Sequence, residues 1–420
     1  MTIPSFTELG VAEPLRRSLE AEGYSEPTPI QIKAIPLLLE GRDVVGLAQT
    51  GTGKTAAFAV PIMQHLLVGH EQRRPKSVRA LILAPTRELA IQIHDAFRTY
   101  GRHLHLRSTV VVGGVGQSPQ IKALAAGLDI LVATPGRLLD HLKQGNVRLD
   151  AVTHLVLDEG DRMLDMGFIR DIKKIVAAVP KKRHTMLFSA TMPADVEQLA
   201  NSILHQPVRL DVSPPKRTAE NIDQRVYFVA QADKRALLAT LLKDAAFERV
   251  LVFTRTKHVA NRVAQHLEKA GFAADAIHGN KSQGARQRAL ERFRSGEARV
   301  LVATDIAARG IDIDAISHVI NFELPNEPDS YVHRIGRTAR AGAAGIAIAF
   351  CDPAENGYLR DIEQLTKARL TVVQGKQGPD APKPERDYAR KTPFRERSAR
   401  RNNNGRRRAA PRFMSTSQSP

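Results

Sequence analysis

The sequence holds one cysteine, Cys351, and no tryptophan, and only 5% of its residues are aromatic. A single thiol excludes an internal disulfide and any zinc or iron–sulfur centre built from several cysteines, and it suits a reducing compartment. No run approaches the roughly 18 apolar residues of a bilayer-crossing helix. The opening residues Met1-Thr2-Ile3-Pro4-Ser5 lack the charged-then-apolar layout of a secretory leader, so a cytoplasmic location is expected. Acidic residues are also in short supply. With 62 Lys plus Arg against 44 Asp plus Glu, the net charge is +18, which predicts an anionic partner.

What is present is enough for more than one folded unit. A chain of 420 residues, 42% of them hydrophobic, predicts two or three domains with ordinary cores. Charge is concentrated at the end. From Gln374 to Pro420 there are 13 basic and 4 acidic residues, 13 − 4 = +9, half the net charge. This stretch contains Arg400-Arg401-Asn402-Asn403-Asn404-Gly405-Arg406-Arg407-Arg408 and few aliphatic residues, so it cannot bury enough apolar surface to offset its ordering entropy. It reads as a disordered basic tail suited to nonspecific contact with phosphates, or more simply to keeping the protein soluble.

Ahead of the tail, short apolar runs alternate with helix-length segments, the pattern of βα units feeding a parallel sheet. Six runs occur in the first half, starting at Asp43, Ala80, Thr109, Asp129, His154 and Thr185. Six more start at Gln224, Val250, Ala274, Val300, His318 and Ile346, after a break at Ser213-Pro214-Pro215-Lys216-Arg217. Each run is continuously apolar, as strands covered by helices on both faces should be. The expected layout is a flank over 1–30, an α/β domain over 31–212, a linker over 213–222, a second α/β domain over 223–373 and the tail over 374–420.

The first run leads into Ala48-Gln49-Thr50-Gly51-Thr52-Gly53-Lys54-Thr55 and then a helix-compatible segment. Strand, glycine-rich turn and helix start are the order a phosphate cradle requires. Backbone N–H groups converge on the phosphates, Lys54 adds a point charge, and the Thr55 hydroxyl can ligate Mg²⁺. Ala48 stands where the general motif has its first glycine. A second carboxylate is then needed for the metal and a group to orient water. The run Leu155-Val156-Leu157-Asp158-Glu159 supplies both at a strand's C-terminal end, Asp158 for Mg²⁺ and Glu159 for the attacking water. An acidic helix start alone would give the same local pattern.

Further segments fall in a recognisable order: Phe6, Gly23-Tyr24, Pro27-Thr28-Pro29-Ile30-Gln31, Pro85-Thr86-Arg87-Glu88-Leu89-Ala90, Thr134-Pro135-Gly136-Arg137 and Ser189-Ala190-Thr191. The second half adds Val252-Phe253-Thr254-Arg255-Thr256, Gln283 with Arg286, Ala303-Thr304-Asp305, and His333-Arg334-Ile335-Gly336-Arg337-Thr338-Ala339-Arg340. From about Phe6 to Phe350 the chain resembles a DEAD-box RNA helicase. Leu164-Asp165-Met166-Gly167-Phe168 and the Arg-rich tail resemble the bacterial RhlE-like branch of that family.

The resemblance implies two tandem RecA-like domains with ATP in the cleft between them and single-stranded RNA or a short duplex lying across both. It implies an RNA-dependent ATPase. Carried over to this sequence, Gln31 reads the adenine edge, its amide donating and accepting at once, and Tyr24 with Phe6 covers the adenine face. Ala48 to Thr55 cradle the phosphates, with Thr55 and Asp158 on Mg²⁺, and Asp305 reaches the ribose. Arg337 and Arg340 act as arginine fingers from the second domain, and Ser189, Thr191 and His333 couple the two faces. Backbone contacts to RNA fall to Pro85, Thr86, Arg87, Gly113, Gly114, Thr134, Gly136 and Arg137, and to Arg255, Gln283, Arg286 and Thr304. With aromatics scarce, recognition should follow phosphates and 2′-hydroxyls with little sequence preference. Assembly of ribosomes or decay of messenger RNA are settings given by family analogy.

Two positions depart from the family pattern. Gly160 replaces the alanine of Asp-Glu-Ala-Asp, and its backbone freedom is expected to loosen the turn that aims the carboxylates. Ala339 replaces a glycine between the two finger arginines, which costs about 1 kcal/mol if its backbone needs a positive φ. His94, His103 and His105 lack a metal-ligand spacing. An alternative function is an ATP-gated RNA clamp or annealing chaperone driven by the tail.

Overall fold

A computed structural model describes residues 3–48, 51–68, 73–212, 222–308, 315–339 and 344–377. The first sheet contains β1 (Val44–Leu47), β2 (Val78–Leu83), β3 (Ser108–Val111), β4 (Leu128–Ala133), β5 (His154–Leu157), β6 (His184–Ser189) and β7 (Val208–Asp211). The second contains β8 (Ile222–Phe228), β9 (Val250–Thr254), β10 (Ala274–Ile277), β11 (Val300–Thr304), β12 (His318–Asn321), β13 (Gly345–Cys351) and β14 (Thr371–Gln374). All pairings are parallel. The orders are β3-β4-β2-β5-β6-β1-β7 and β10-β11-β9-β12-β13-β8-β14, the same permutation shifted by seven, so the chain builds one RecA-like α/β lobe twice.

Continuous apolar runs arise because alternate residues of each strand serve opposite faces. Leu155 and Leu157 join one buried cluster and Val156 the other, as do Leu81 and Leu83 against Ile82. Each such side chain contributes about 1.5–3 kcal/mol by burial, so a polar residue inside these strands would be costly.

The apolar runs predict six strands per half, and the described residues form seven in each sheet. The extra ones, β7 and β14, are edge strands of four residues: β7 alternates between core and solvent, and β14 is exposed throughout. Neither presents a continuous apolar run. β8 also begins at Ile222, inside the expected linker, and β14 ends at Gln374, one residue into the expected tail. Among the described residues no helix is long and apolar enough to cross a membrane.

Candidate nucleotide and RNA site

The phosphate loop is held by the segment that precedes it. Gly53 has φ 89°, and a Cβ there would come within 2.6 Å of Gln31 Nε2 and 2.9 Å of Thr28 Oγ1, so the contact requires glycine. Gln31 Nε2 donates to the Gly53 carbonyl at 3.1 Å, and its Oε1 accepts from the Thr28 amide at 2.9 Å. Thr28 Oγ1 donates to the Thr52 carbonyl at 2.8 Å. The Lys54 ammonium, 5% exposed, donates to the carbonyl of buried Ala48 at 2.9 Å. Thr55 follows in the first turn of the helix Lys54–Val68, while Gly51 closes the loop's described part with φ 83°. Gln49 and Thr50 lie outside the described residues. Of the two aromatics expected on adenine, Tyr24 is half-buried with its hydroxyl 2.8 Å from that of Tyr100. Phe6 is buried in the core of the first lobe.

The carboxylates stand where β5 ends. Asp158 and Glu159 are 2% and 3% exposed, and Glu159 adopts φ 55°, ψ 54° ahead of the helix Gly160–Asp165. A left-handed glutamate at a turn is a strained residue held by its surroundings. Its amide donates to Asp158 Oδ1 at 3.0 Å, and Arg162 Nη1 donates to its Oε2 at 2.7 Å. Burial raises Asp158 to about 6 against the pull of Lys54. Burial opposes ionisation of Glu159 as well, but Arg162, then Lys54 and Arg337, outweigh it and hold Glu159 at about 2. A buried carboxylate short of cationic compensation beside a phosphate loop fits a divalent cation and a nucleotide. Gly160 itself is helical, so the strain of this turn sits on Glu159 and not on the glycine.

Of the three residues expected to couple the faces, Ser189 and Thr191 meet at Asp161. Its amide donates to Ser189 Oγ at 3.0 Å, and its Oδ2 accepts from the Thr191 amide and hydroxyl, each at 2.9 Å. Across the cleft, Arg162 lines the same cavity as Asp305, His333, Arg334 and Arg337 of the second lobe. Arg337, 4% exposed, bonds the His333 carbonyl at 3.4 Å. Asp305 accepts both Nε and Nη2 of Arg334, at 2.6 and 2.7 Å, so a ribose there would meet a carboxylate already oriented. Arg340 lies outside the described residues.

A second constellation joins the lobes on the other face. Glu88 Oε1 accepts from Gln283 Nε2 at 3.1 Å, and its Oε2 is 2.9 Å from Arg286 Nη2. Arg87 Nη1 reaches Gln283 Oε1 at 3.4 Å. A Cβ on Gly114, φ 74°, would lie 1.9 Å from that guanidinium, and one on neighbouring Gly113 3.4 Å, so the glycines let Arg87 pass. Burial first, then Arg286 and Arg137, disfavours the Arg87 cation, with Glu88 the offsetting charge. Arg137 Nη1 donates to the Val115 carbonyl at 3.0 Å. Thr86 and Thr134 open helices, Thr86 Oγ1 accepting from the Leu89 amide at 3.3 Å, with Pro85 buried beside it and Gly136 in open space. In the second lobe Thr304 ends β11 half-buried, and Arg255 lies 3.3 Å from Glu355 and 3.5 Å from Glu323.

Four residues in these constellations had no role assigned from sequence: Glu88, Asp161, Arg162 and Arg334. All lie inside or beside the motifs; the partners of Glu88, Asp161 and Arg334 are distant in the chain, while Arg162 bonds Glu159 three residues before it. Only the fold reveals them.

Comparison with known proteins agrees with this geometry. Residues 28–199 match the DEAD/DEAH box helicase family and residues 233–342 the helicase conserved C-terminal domain. The ATP-dependent RNA helicase CshA of Listeria monocytogenes is 45% identical over 369 residues, spanning 88% of this chain and 70% of its own. Dbp5 of S. cerevisiae bound to RNA and ADP–BeF3 superposes with a TM-score of 0.78 at 31% identity, covering 88% of this chain and 95% of that one. A DEAD box protein of the hyperthermophile Methanococcus jannaschii is 39% identical over 89% of this chain and 99% of its own, with a TM-score of 0.51.

Two RecA-like lobes enclosing a phosphate loop and a buried carboxylate pair make this a nucleotide hydrolase of the helicase class. The chain belongs to the DEAD-box ATP-dependent RNA helicase family. It is an enzyme whose ATP hydrolysis is stimulated by RNA and drives RNA unwinding and remodelling.

Proposed function

We propose that hydrolysis is gated by closure of the cleft, and that Arg337 is the residue that reports closure to the chemistry. The carrying observation is that this buried second-lobe guanidinium lines one cavity with Arg162, whose Nη1 bonds Glu159 at 2.7 Å. In this assignment Lys54 and the loop Ala48 to Thr55 hold the phosphates. Thr55 and Asp158 would hold Mg²⁺, which would supply charge neutralisation to the phosphates. Glu159 orients water, and Arg337 with Arg340 stabilises the charge on the transferred group. Gln31 and Tyr24 read adenine. Because Gln31 holds Gly53, adenine would have to draw the Gln31 amide away and so release the loop.

RNA phosphates would replace Glu88 as the partner of Gln283 and Arg286, and Gln283 as the partner of Arg87, with Arg137, Arg255 and Thr304 extending the track. A cationic strip disfavoured by its own crowding is relieved by an anion, and contacts of this kind carry no base readout. Asp161, Ser189 and Thr191 would relay between the two faces. The lobes are assigned to 31–212 and 223–373, in the bacterial cytoplasm, within ribosome-assembly or RNA-decay machinery.

The test is steady-state ATPase at fixed salt with single-stranded RNA, double-stranded RNA and DNA. Stimulation by RNA and not by DNA is expected, and its absence would overturn the gating. Removing residues 378–420 should leave this ATPase in place, whereas an annealer driven by its tail would lose its activity. The cut belongs after Gln377 because one at Val373 would cut into β14, which pairs with β8.

A further inference from the structure

Three imidazoles meet at the end of the first sheet opposite the carboxylates. His65 lies in the last turn of the helix Lys54–Val68, while His154 and His184 are the first residues of β5 and β6. One ring nitrogen of each lies within 4.8 Å of those of the other two. Sequence gives no hint of this, since the three are spread over more than a hundred residues with no shared motif. The histidines that do cluster in sequence are elsewhere, and His94 bonds Ser108 Oγ at 3.2 Å.

Each ring is oriented through its other nitrogen. His65 Nε2 is 3.0 Å from the Leu39 carbonyl and His184 Nε2 is 2.7 Å from the Arg42 carbonyl. Carbonyls only accept, so both rings carry their proton on Nε2 and keep a lone pair on Nδ1. His154 Nδ1 is 2.9 Å from Thr153 Oγ1, whose hydroxyl can donate to the Arg79 carbonyl at 3.2 Å. With that hydroxyl turned to Arg79, His154 donates from Nδ1 and offers Nε2, which faces His65 Nδ1 at 3.1 Å. Turned the other way, the hydroxyl donates to His154 Nδ1 and His154 donates to His65. Either way His184 Nδ1 remains, in a residue 8% exposed, without a hydrogen-bond partner among the described residues. Ligating histidines are held in this manner, each donating its second N–H to a carbonyl or similar acceptor.

Burial keeps His154 and His184 neutral and available. Burial first, then His184, His65 and Arg79, pushes His154 down to about 3, and burial also lowers His184. The neighbouring charges are already committed: Arg79 to Asp129 at 3.2 Å, and Asp43 to the amides of Thr185 and His205, both at 2.7 Å.

We propose that His65, His154 and His184 form a transition-metal site of the first lobe that takes Zn²⁺, with water in the fourth position. Three imidazoles without an oxygen donor exclude Mg²⁺ and Ca²⁺, which want oxygen ligands, and fit zinc. The 3.1 Å between His65 and His154 nitrogens is close to the ~3.3 Å separating two nitrogens bound at about 2.0–2.1 Å to one tetrahedral ion. Half-buried His65 is the way in. The bound ion would tie together the far ends of three elements whose near ends are Lys54, Asp158 and Ser189.

The experiment uses untagged full-length protein, stripped with a chelator. It is titrated with Zn²⁺ against a chromophoric chelator and, separately, with Co²⁺ as a spectroscopic probe. One Zn²⁺ per chain, the intense visible bands of four-coordinate Co²⁺, and a Tm that rises with Zn²⁺ concentration are expected. His65→Gln, at the half-buried edge, should weaken Zn²⁺ binding at least tenfold while its metal-free melting matches the parent's. His184→Gln should do the same, and if it melts early without metal, His65→Gln alone carries the test. Zinc binding by the parent no tighter than by His65→Gln, or a six-coordinate Co²⁺ spectrum, overturns the site.

Discussion

Strands β5 and β6 carry opposite chemistry at their two ends. They begin with His154 and His184 and lead to Asp158 and Ser189, roughly 13–16 Å away at about 3.3 Å per residue. The helix Lys54–Val68 spans the same gap between Lys54 and His65. Both ends are buried, yet burial is answered differently. At the carboxylate end Lys54, Arg162 and Arg337 supply the cations that let charge persist away from water. At the imidazole end burial, joined by His184, His65 and Arg79, suppresses the charged form of His154. One end manages charge and the other keeps lone pairs. The same scaffold thus offers a place for phosphoryl transfer and a place for a soft cation.

Breaking the carboxylate end should give the largest effects. Arg337→Ala is expected to lower the kcat of RNA-stimulated ATP hydrolysis by about 10³–10⁵, the contribution of an arginine finger. Its Zn²⁺-dependent rise in Tm should equal that of the parent, since the ends are separate. A shifted metal response would show that they are not. Glu159→Gln should cost about 10²–10⁴ in kcat while RNA binding persists, because the amide cannot take up a proton. Loss of RNA binding in that variant would move Glu159 from chemistry to architecture.

Acid should break the imidazole end first. Folded His154 resists protonation down to about 3, whereas an unfolded histidine takes its proton near 6.5. Between those values the unfolded chain binds more protons, so stability falls as pH drops through the window and is fully present above it. At about pH 5 this ring alone should cost roughly 2 kcal/mol. Urea unfolding near neutral pH and near pH 5 measures the loss, and His154→Gln should flatten the slope. An unchanged slope would mean that the ring gains its proton without opening the site.

How legible each end was follows from the same contrast. The carboxylate end lies on contiguous segments, so Lys54, Asp158, Glu159 and the motif around Ser189 could be read in order, and continuous apolar runs located twelve of the fourteen strands. The edge strands β7 and β14 escaped because half or all of their residues face solvent. Asp161 and Glu88 escaped for another reason: their hydrogen bonds run to Thr191 and Gln283, far along the chain, and Arg162 escaped because a cation three residues from a carboxylate is an ordinary helix-surface spacing. The imidazole end was wholly illegible. His154 read only as the start of an apolar run, His184 sat just outside the run starting at Thr185, and His65 drew no reading.

Smaller effects come from the two departures in the family pattern. Gly160 opens its helix with ordinary backbone angles, and a Cβ there would meet Leu187 at 3.6 Å and the Phe188 carbonyl at 3.7 Å, normal contact distances. Gly160→Ala should therefore raise stability by about 0.4–1 kcal/mol through the unfolded chain. Turnover should stay within about twofold, equivalent to about 0.4 kcal/mol in the barrier. A larger change would show that glycine freedom sets how Glu159 is aimed.

Ala339 is the converse case. It holds φ 54°, a left-handed angle that costs an alanine about 1–2 kcal/mol. The angle is imposed from both sides. Thr338 Oγ1 donates to the Ile316 carbonyl at 2.5 Å, and the Ala339 amide presses so close to Gly345 that a Cβ there would lie 2.7 Å away. Ala339→Gly relieves the strain, but it frees the unfolded chain by about 0.4–1 kcal/mol and removes a methyl packed on the second lobe's core. The net gain should be about 0.5 kcal/mol, a small rise in Tm. The sharper readout is RNA-stimulated ATPase, because the residue follows Arg337 by two positions and its strain bears on the finger's backbone. A faster kcat at unchanged KM would mean that the strained alanine holds Arg337 back from the nucleotide, and an unchanged kcat would confine the departure to folding.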